Sequence, residues 1–225
     1  MLVKKNSTFL FFLLILKVLI FCAWSANGVG TCDIRIIDKL NNYLLSLDNV
    51  AIKFTQEEAR GKKYSGIILI SKPDNFRANY DPPYPLVIVS NKNFITIYDY
   101  ELEELSRLDA KDNIFKFLMN SSKKDNKLVI TSCNDLGSQA EIHVLHTETD
   151  QKAKISYDKV ADVLLGFELA NEAGEFDYSS IKVKFHHFIR TKKLHASLFS
   201  IKNPKVYGPP KRYTNDNLLK LIAKD

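Results

Sequence analysis

Short apolar segments recur along most of this chain, and strong turn signals separate them at intervals of about ten residues. In the first segment, Val50, Ile52 and Phe54 alternate with more polar residues, which is the period of a β-strand. Turn sequences rich in glycine, proline and aspartate stand at 61–63 and 81–83. Evenly spaced short strands of this kind are typical of one antiparallel meander.

The same pattern, continued to the end of the chain, predicts ten or eleven strands. A single antiparallel sheet of that size curls, because the twist of its strands accumulates. We therefore predict a mainly β fold with few helices, in which about eleven antiparallel strands form one curved sheet. The predicted strands are 50–60, 64–71, 76–80, 86–90, 94–98, 127–131, 141–146, 152–156, 163–169, 181–188 and 196–201.

Three segments have helical rather than alternating periodicity. In residues 32–47, Ile34, Ile37, Leu40, Tyr43 or Leu44, and Leu47 recur at helical spacing, and a second short helix is predicted at 112–120. A third helix is predicted in the polar tail, at 217–223. The first two interrupt the run of strands, so we expect them to cover the concave face of the curved sheet or its mouth.

The amino terminus has the layout of a secretory signal peptide. Lys4 and Lys5 precede an apolar run that only Lys17 interrupts, and small residues follow it. We predict cleavage after Ser25, which leaves residues 26–225 as a single exported domain. A retained membrane anchor is the alternative, and Lys17 disfavours it. Lipidation is disfavoured as well, because neither Cys22 nor Cys32 follows a small residue at the end of the apolar run.

Removing residues 1–25 deletes three lysines and no acid, so the formal charge falls from +6 to +3. That balance is too mild to indicate nucleic-acid binding. Two cysteines remain, Cys32 and Cys133. In an oxidising compartment they form a disulfide or stay as separate thiols, and the sequence alone leaves both possibilities open.

Motifs that would indicate an enzyme or a metal site are missing from the sequence. It contains no G-x-S-x-G, no Walker loop and no G-x-G-x-x-G. His186 and His187 are adjacent on one predicted strand and so point to opposite faces, which disfavours a shared metal ion. We expect no cofactor, no metal and no catalysis.

Several segments resemble the LolA family of periplasmic outer-membrane lipoprotein carriers. The resemblance rests on Ile52-Lys53-Phe54-Thr55-Gln56, on residues 66–77 with the sequence GIILISKPDNFR, on Tyr98-Asp99, and on residues 198–208. These segments resemble the family's F-x-Q strand, its strand ending in K-R-P-x-x-F-R-W, its Y-D hairpin and its closing strand. The arginine of K-R-P falls on Lys72, and the tryptophan falls on Ala78.

The resemblance implies an unclosed barrel with a helical lid over an apolar cavity. It also implies a monomeric chaperone that takes acylated lipoproteins from an inner-membrane ABC exporter to an outer-membrane acceptor or to the outer membrane itself. The residues expected to contact lipid or control the lid are Leu40, Phe54, Leu69, Lys72, Phe76, Arg77, Tyr80, Ile88, Phe94, Tyr98, Phe115 and Leu118.

Three other functions stay open at this point. The first is an outer-membrane lipoprotein receptor of similar fold, which the lack of a lipidation cysteine disfavours. The second is an envelope sensor that uses such a barrel to detect mislocalised lipid. The third is a secreted hydrolase with a scattered active site, which the lack of a nucleophile motif disfavours.

Overall fold

A computed structural model describes residues 33–58, 61–91, 94–109, 127–177 and 179–223. The predicted signal peptide, Cys32 and the predicted helix at 112–120, with Phe115 and Leu118, lie outside these ranges. Among the helices that they contain, none is both long and apolar enough to span a membrane.

The described residues form eleven strands, a long amino-terminal helix, one 3₁₀ helix and two further helices. The strands are β1 (Asn49–Glu57), β2 (Lys63–Ser71), β3 (Asn75–Tyr80), β4 (Leu86–Ser90), β5 (Phe94–Asp99), β6 (Glu104–Asp109), β7 (Leu128–Leu136), β8 (Gln139–His146), β9 (Lys152–Asp158), β10 (Val163–Leu169) and β11 (Ile181–Arg190). The helices are α1 (Ile34–Leu45), the 3₁₀ helix (Ala196–Phe199), α2 (Pro204–Tyr207) and α3 (Asn215–Ile222).

All eleven strands belong to one antiparallel sheet, in the order β6-β5-β4-β3-β2-β1-β11-β10-β9-β8-β7. Two meanders meet where β1 pairs with β11, for example at Val50 and Arg190. Within the described part of the chain, β6 and β7 are the outer strands, so the sheet stays open. The predicted fold class, a half-open antiparallel sheet of about eleven strands, is confirmed.

One face of the sheet curls around α1. A single apolar cluster contains Ile68 of β2, Ile142 of β8 and Leu40 of α1, although β2 and β8 lie far apart in the sheet order. Strands that are five positions apart share a cluster with the helix only if the sheet bends around it. We call this side the concave face, and the opposite side the convex face.

The chain after β11 covers half of the convex face. Residues 191–223 run across β1–β5, and their apolar side chains form a second cluster with that side of the sheet. The residues that they bury there are Leu194, Leu198, Phe199, Ile201, Leu218 and Ile222. We call this segment the carboxy-terminal layer.

A β-bulge in β11 changes which residues face inward. Lys53 pairs with His187, but the next residue, Phe54, pairs with Phe185, so His186 is the extra residue. Strict alternation predicted His187 on the same face as Phe185. Because of the bulge, Phe188 is the residue that packs against the concave cluster.

Three sequence predictions need correction. The strand predicted at 196–201 is wrong, since residues 196–199 form a 3₁₀ helix that lies on the sheet instead of extending it. β6 was not predicted, because most of its side chains are exposed and show no clean alternation. The buried side of α1 begins two residues later than predicted, because Ile36 is buried whereas Ile34 is 65% exposed. The terminal helix predicted at 217–223 is present as α3.

Candidate functional site

The helix α1 lies over the concave face with one apolar side turned toward the sheet. Its buried residues, Ile36, Leu40, Tyr43 and Leu44, follow helical spacing, and Leu47 just beyond the helix is also buried. At its start, the Asp33 carboxylate accepts a hydrogen bond from the backbone N–H of Arg35 at 2.9 Å. The helix therefore forms from its own cap and stripe, and the sheet fixes which side faces inward.

Two cations from different strands hold the carboxy-terminal end of α1. The Lys72 Nζ, just after β2, donates a hydrogen bond to the carbonyl of Leu44. Arg190, the last residue of β11, donates from Nη1 to the carbonyl of Ser46 at 2.6 Å and from Nη2 to its Oγ at 3.2 Å. The last carbonyls of a helix lack intrahelical partners and carry partial negative charge, so cations are stabilising at this position. We call these two contacts the latch.

Lys72 is partly buried in the latch. This burial lowers the pKa of its ammonium group below the ordinary value, and the negative charge of Asp48 opposes this shift. The charged form is stabilised in this position because the ammonium group donates a hydrogen bond to the end of the helix. Sequence reasoning predicted Lys72 as a lid residue, but it missed Arg190, which no local motif marks.

Between the helix and the sheet lies a chain of aromatic rings. The Tyr43 ring of α1 has its centroid 6.3 Å from that of Tyr157 and 6.2 Å from that of Phe188. Phe188 is in turn 6.0 Å from Phe185, which is 5.8 Å from Phe167. Edge and tilted contacts of this kind are favourable, and they make this half of the concave face both apolar and aromatic.

A second aromatic group lies where β1 ends and β2 begins. Phe54 and Tyr80 meet edge to face at 5.2 Å, and the Tyr84 ring lies 4.8 Å from that of Tyr80. The Tyr80 hydroxyl donates to the Gln56 Oε1 at 2.6 Å, so its polar end is satisfied although the residue is buried. Burial, assisted by the nearby Glu58 carboxylate, raises the pKa of Tyr84 to about 12, so both phenols stay neutral at physiological pH.

Gly66 makes room for this group. A Cβ at position 66 would lie 2.4 Å from the Asn79 carbonyl oxygen and 2.7 Å from the Phe54 Cε1. The ring of Phe54 therefore lies over the glycine on the concave face, in a place that any larger residue would occupy itself.

Beyond the helix, the concave face continues onto β4 and β5 with apolar side chains that are only half buried. Leu86 and Ile88 of β4 pack against the concave cluster but stay partly exposed, and Ile97 pairs with Ile88 from β5. Apolar surface is therefore still accessible on this part of the concave face, and a bound apolar chain would gain free energy there by leaving water.

Five of the predicted site residues share the concave side. Leu40, Phe54, Phe76, Tyr80 and Ile88 all contact the concave cluster. Phe76 pairs with Ile70 and Ser90 across its two neighbouring strands, and it is 9% exposed. Lys72 stands at the rim of this face, against the helix end.

Four of the other predicted residues lie elsewhere in the described part of the chain, so their assignment to the concave site is corrected. Leu69 and Tyr98 are buried on the convex face under the carboxy-terminal layer, and Arg77 is buried on that side as well. Its Nη1 donates to the Leu198 carbonyl at 3.0 Å, so it fastens this layer to the sheet. Phe94 is 47% exposed at the start of an outer hairpin, away from the helix.

Cys133 is disulfide-bonded and lies on the concave side of β7. The sequence left open whether Cys32 is its partner, and Cys32 lies outside the described residues.

On the uncovered half of the convex face, charged groups form a network around Glu168. The Lys154 Nζ lies 2.8 Å from the Glu168 carboxylate, and that of Lys182 lies 3.5 Å away. Burial alone would raise the pKa of Glu168, but the hydrogen bonds from Lys154 and Ser180 and the two positive charges lower it overall. Glu168 is therefore held by ion pairs with Lys154 and Lys182 and by a hydrogen bond from the Ser180 hydroxyl.

A half-open groove of about 610 Å³ borders the edge strand β6. Its lining is mixed, with the charged Glu103, Glu104, Arg107 and Lys205 beside the apolar Leu102, Leu105 and Pro204. It lies at the edge strand and is separate from the apolar concave site.

Comparison with protein families gives one matching family model, described as outer membrane lipoprotein carrier protein LolA, over residues 46–202. The match begins at the end of α1 and ends just beyond the 3₁₀ helix. It therefore includes Lys72, the concave strands and Arg190.

One curated relative and two solved structures are similar over most of the chain. The uncharacterized protein RP864 of Rickettsia prowazekii is 34% identical over 209 residues, which is 92% of this chain and 95% of that protein. A LolA superfamily protein from Nitrosomonas europaea, NE2245, has a TM-score of 0.47 and 8% identity, and covers 74% of this chain and 96% of its own. A DUF1329 family protein from Desulfovibrio piger has a TM-score of 0.46 and 7% identity, and covers 72% and 95%.

Proposed function

This chain belongs to the family of the outer membrane lipoprotein carrier protein LolA, and from that premise we propose that it is a periplasmic lipoprotein chaperone. It binds the acyl chains of lipoproteins released by an inner-membrane ABC exporter and delivers them to the outer membrane or to an acceptor there. It acts by binding and release, without catalysis. Residues 1–25 are its signal peptide, and residues 26–225 are its single domain.

The observation that carries the proposal is a helix held over an apolar, aromatic concave face by cations at one end. Burying an acyl chain contributes about 0.8 kcal/mol per methylene, so one long chain is worth on the order of 10 kcal/mol. A fully enclosed pocket would hold two or three such chains too tightly for release. A cover that opens at a small free-energy cost solves this problem, because the same surface is available for loading and hidden during transit.

The acyl chains are proposed to lie on the half-buried strip of β4 and β5 and to extend under α1. Ile88 is the central contact, and Phe76, Tyr80 and Phe54 form the inner wall. Ile88 is a better probe than Phe76, because Phe76 is nearly buried and its replacement would disturb packing.

The test has two parts. First, the processed protein is purified gently and examined by native mass spectrometry for co-purified acylated lipoprotein. Second, transfer of a labelled lipoprotein from inner-membrane vesicles to acceptor membranes is measured for Ile88→Trp, which fills the strip, and Ile88→Glu, which places a charge in it. The matched control is Val160→Glu, because Val160 is 81% exposed in a distant turn.

We expect both Ile88 variants to lose cargo and transfer while they melt close to the native temperature, and the control to transfer normally. A protein that carries no lipid, together with Ile88 variants that transfer at the native rate, would rule out the carrier function at this site. If Ile88→Glu fails to fold, Ile88→Trp still decides the question, since it adds no buried charge.

A further inference from the structure

The positive charge of this chain is concentrated in the carboxy-terminal layer. Residues 191–223 contain seven lysines and arginines and one acid, Asp216, for a net charge of +6. Residues 26–190 contain 21 lysines and arginines and 24 acids, for a net charge of −3. The two parts therefore differ in sign, although the whole chain is only mildly basic.

All seven of these cations are exposed. The inner side of the same segment is occupied by the apolar residues that pack on β1–β5. Arg212 also donates to the Tyr84 carbonyl at 3.0 Å, and Lys205 lines the groove beside β6. None of the seven forms an ion pair with a carboxylate of the described residues. The seven are Lys192, Lys193, Lys202, Lys205, Lys211, Arg212 and Lys220.

Apolar side chains are exposed within this basic surface. Val206 and Tyr207 of α2 are 68% and 67% exposed. The Lys202 Nζ lies 5.0 Å above the Tyr207 ring, and Lys205 occupies the same helical turn. Cations that flank an exposed tyrosine and an aliphatic residue are typical of segments that lie at the interface of an anionic membrane.

We propose that the outer side of the carboxy-terminal layer is a docking surface for an anionic phospholipid bilayer. Its charges are spread over the layer, which complements a surface of many similar negative headgroups better than a single acidic protein site. Each lysine or arginine near such a surface adds to the electrostatic attraction. Tyr207 and Val206 insert to the depth of the lipid headgroups.

The position of this surface agrees with delivery of cargo. The layer lies on the convex side, opposite α1, so docking leaves the helix and its latch free to open. The inference adds a membrane-recognition surface to the proposed carrier function. It does not depend on that function, because vesicle binding is measured without cargo.

The experiment is co-sedimentation of the chain beginning at Ala26, which keeps every described residue, with lipid vesicles. Vesicles of phosphatidylglycerol and phosphatidylethanolamine are compared with vesicles of phosphatidylcholine alone, at low and at high salt. The surface variant is Lys192→Glu, Lys193→Glu and Lys205→Glu combined. The matched control makes the same three changes at exposed lysines elsewhere, Lys39, Lys62 and Lys63.

We expect binding to the anionic vesicles only, weakened by salt, and a loss of at least about tenfold in the surface variant. The control should lose much less, although its net charge is identical. Val206→Ser with Tyr207→Ser should remove the binding that persists at high salt. The proposal is overturned by equal binding to both kinds of vesicle, by no binding at all, or by equal losses in the two lysine variants. Melting curves of every variant verify that each is folded.

Discussion

Lys72→Ala tests whether the latch controls the position of α1. The Leu44 carbonyl that Lys72 contacts also accepts the backbone N–H of Leu47 at 3.2 Å, so the substitution leaves no unpaired acceptor. The loss is then the net contribution of one half-exposed, charge-assisted hydrogen bond at a helix end. With allowance for solvent screening, that contribution is about 1 to 1.5 kcal/mol.

This magnitude fixes the expected change in population. A shift of about 1 to 1.5 kcal/mol raises the ratio of open to closed helix about fivefold to twelvefold. Hydrogen exchange of the α1 amides should accelerate by the same factor, whereas amides in β2 and β3 should keep their native rates. Peptide-resolved exchange measured by mass spectrometry gives both numbers in one experiment.

Three variants make the measurement specific. Lys72→Arg keeps the charge and adds donors, so α1 should exchange at the native rate or more slowly. Lys53→Ala removes an exposed lysine from the other face of β1 and should change nothing. Arg190→Gln breaks the second contact, which has a different acceptor, so its effect should add to that of Lys72→Ala.

Unchanged exchange of α1 in Lys72→Ala, or equal acceleration across the whole sheet, would refute this reasoning. In the first case the bond to the Leu44 carbonyl does not restrain the helix. In the second case Lys72 contributes to global stability and has no specific effect on the lid.

Three further predictions concern packing, pH and the disulfide. Gly66→Ala places a methyl group 2.4 Å from a backbone oxygen of the neighbouring strand, so it should lower the free energy of unfolding by about 2 to 3 kcal/mol in urea titrations. The pKa of Glu168 is lowered in the folded state, so its stabilising contribution is full above its ordinary pKa of 4.5 and is lost as the pH falls through the lower folded value. Glu168→Gln should therefore reduce the loss of stability as the pH is lowered, and Lys154→Met should do the same. Peptide mapping of the processed protein should find Cys133 joined to Cys32, and thiol counting under denaturation should give zero.

Each of these predictions has its own contradicting result. Gly61 has open space around it, so Gly61→Ala serves as the packing control and should cost about 1 kcal/mol through its positive φ alone. Equal losses at positions 61 and 66 would show that crowding is not the cause. If stability falls at low pH to the same extent in Glu168→Gln and in the native chain, Glu168 does not contribute to the pH dependence of stability. Two free thiols would end the predicted bridge.

The sequence by itself determined where most strands lie and which neighbours share a face. Alternation with period two places Phe76 and Arg77 on opposite faces, whatever the rest of the chain does. The turn residues at 61–63 and 81–83 end strands for local reasons. The apolar stripe of α1 likewise requires a helix with one buried side. These features predicted one curved antiparallel sheet with a helix packed on it.

One part of the site was also readable, because the signal was local. Lys72 follows directly on a strand that ends near the helix, and the structure places its ammonium at the helix end. Sequence reasoning still included Leu69, Arg77 and Tyr98 in the site. The continuous apolar run from Ile67 to Ile70 carried the missing information, since a strand with apolar residues on both sides is covered on both sides.

Only the tertiary structure decided which face holds the candidate site. The pairing of β1 with β11 joins residues more than a hundred positions apart, so no local pattern specifies it, and it brings Arg190 to the end of α1. The same pairing sends the chain after β11 across the convex face, which buries Leu69 and Tyr98 and leaves Ile88 accessible on the other side. Burial on one face or the other depends on what covers that face, and the cover comes from a distant part of the chain.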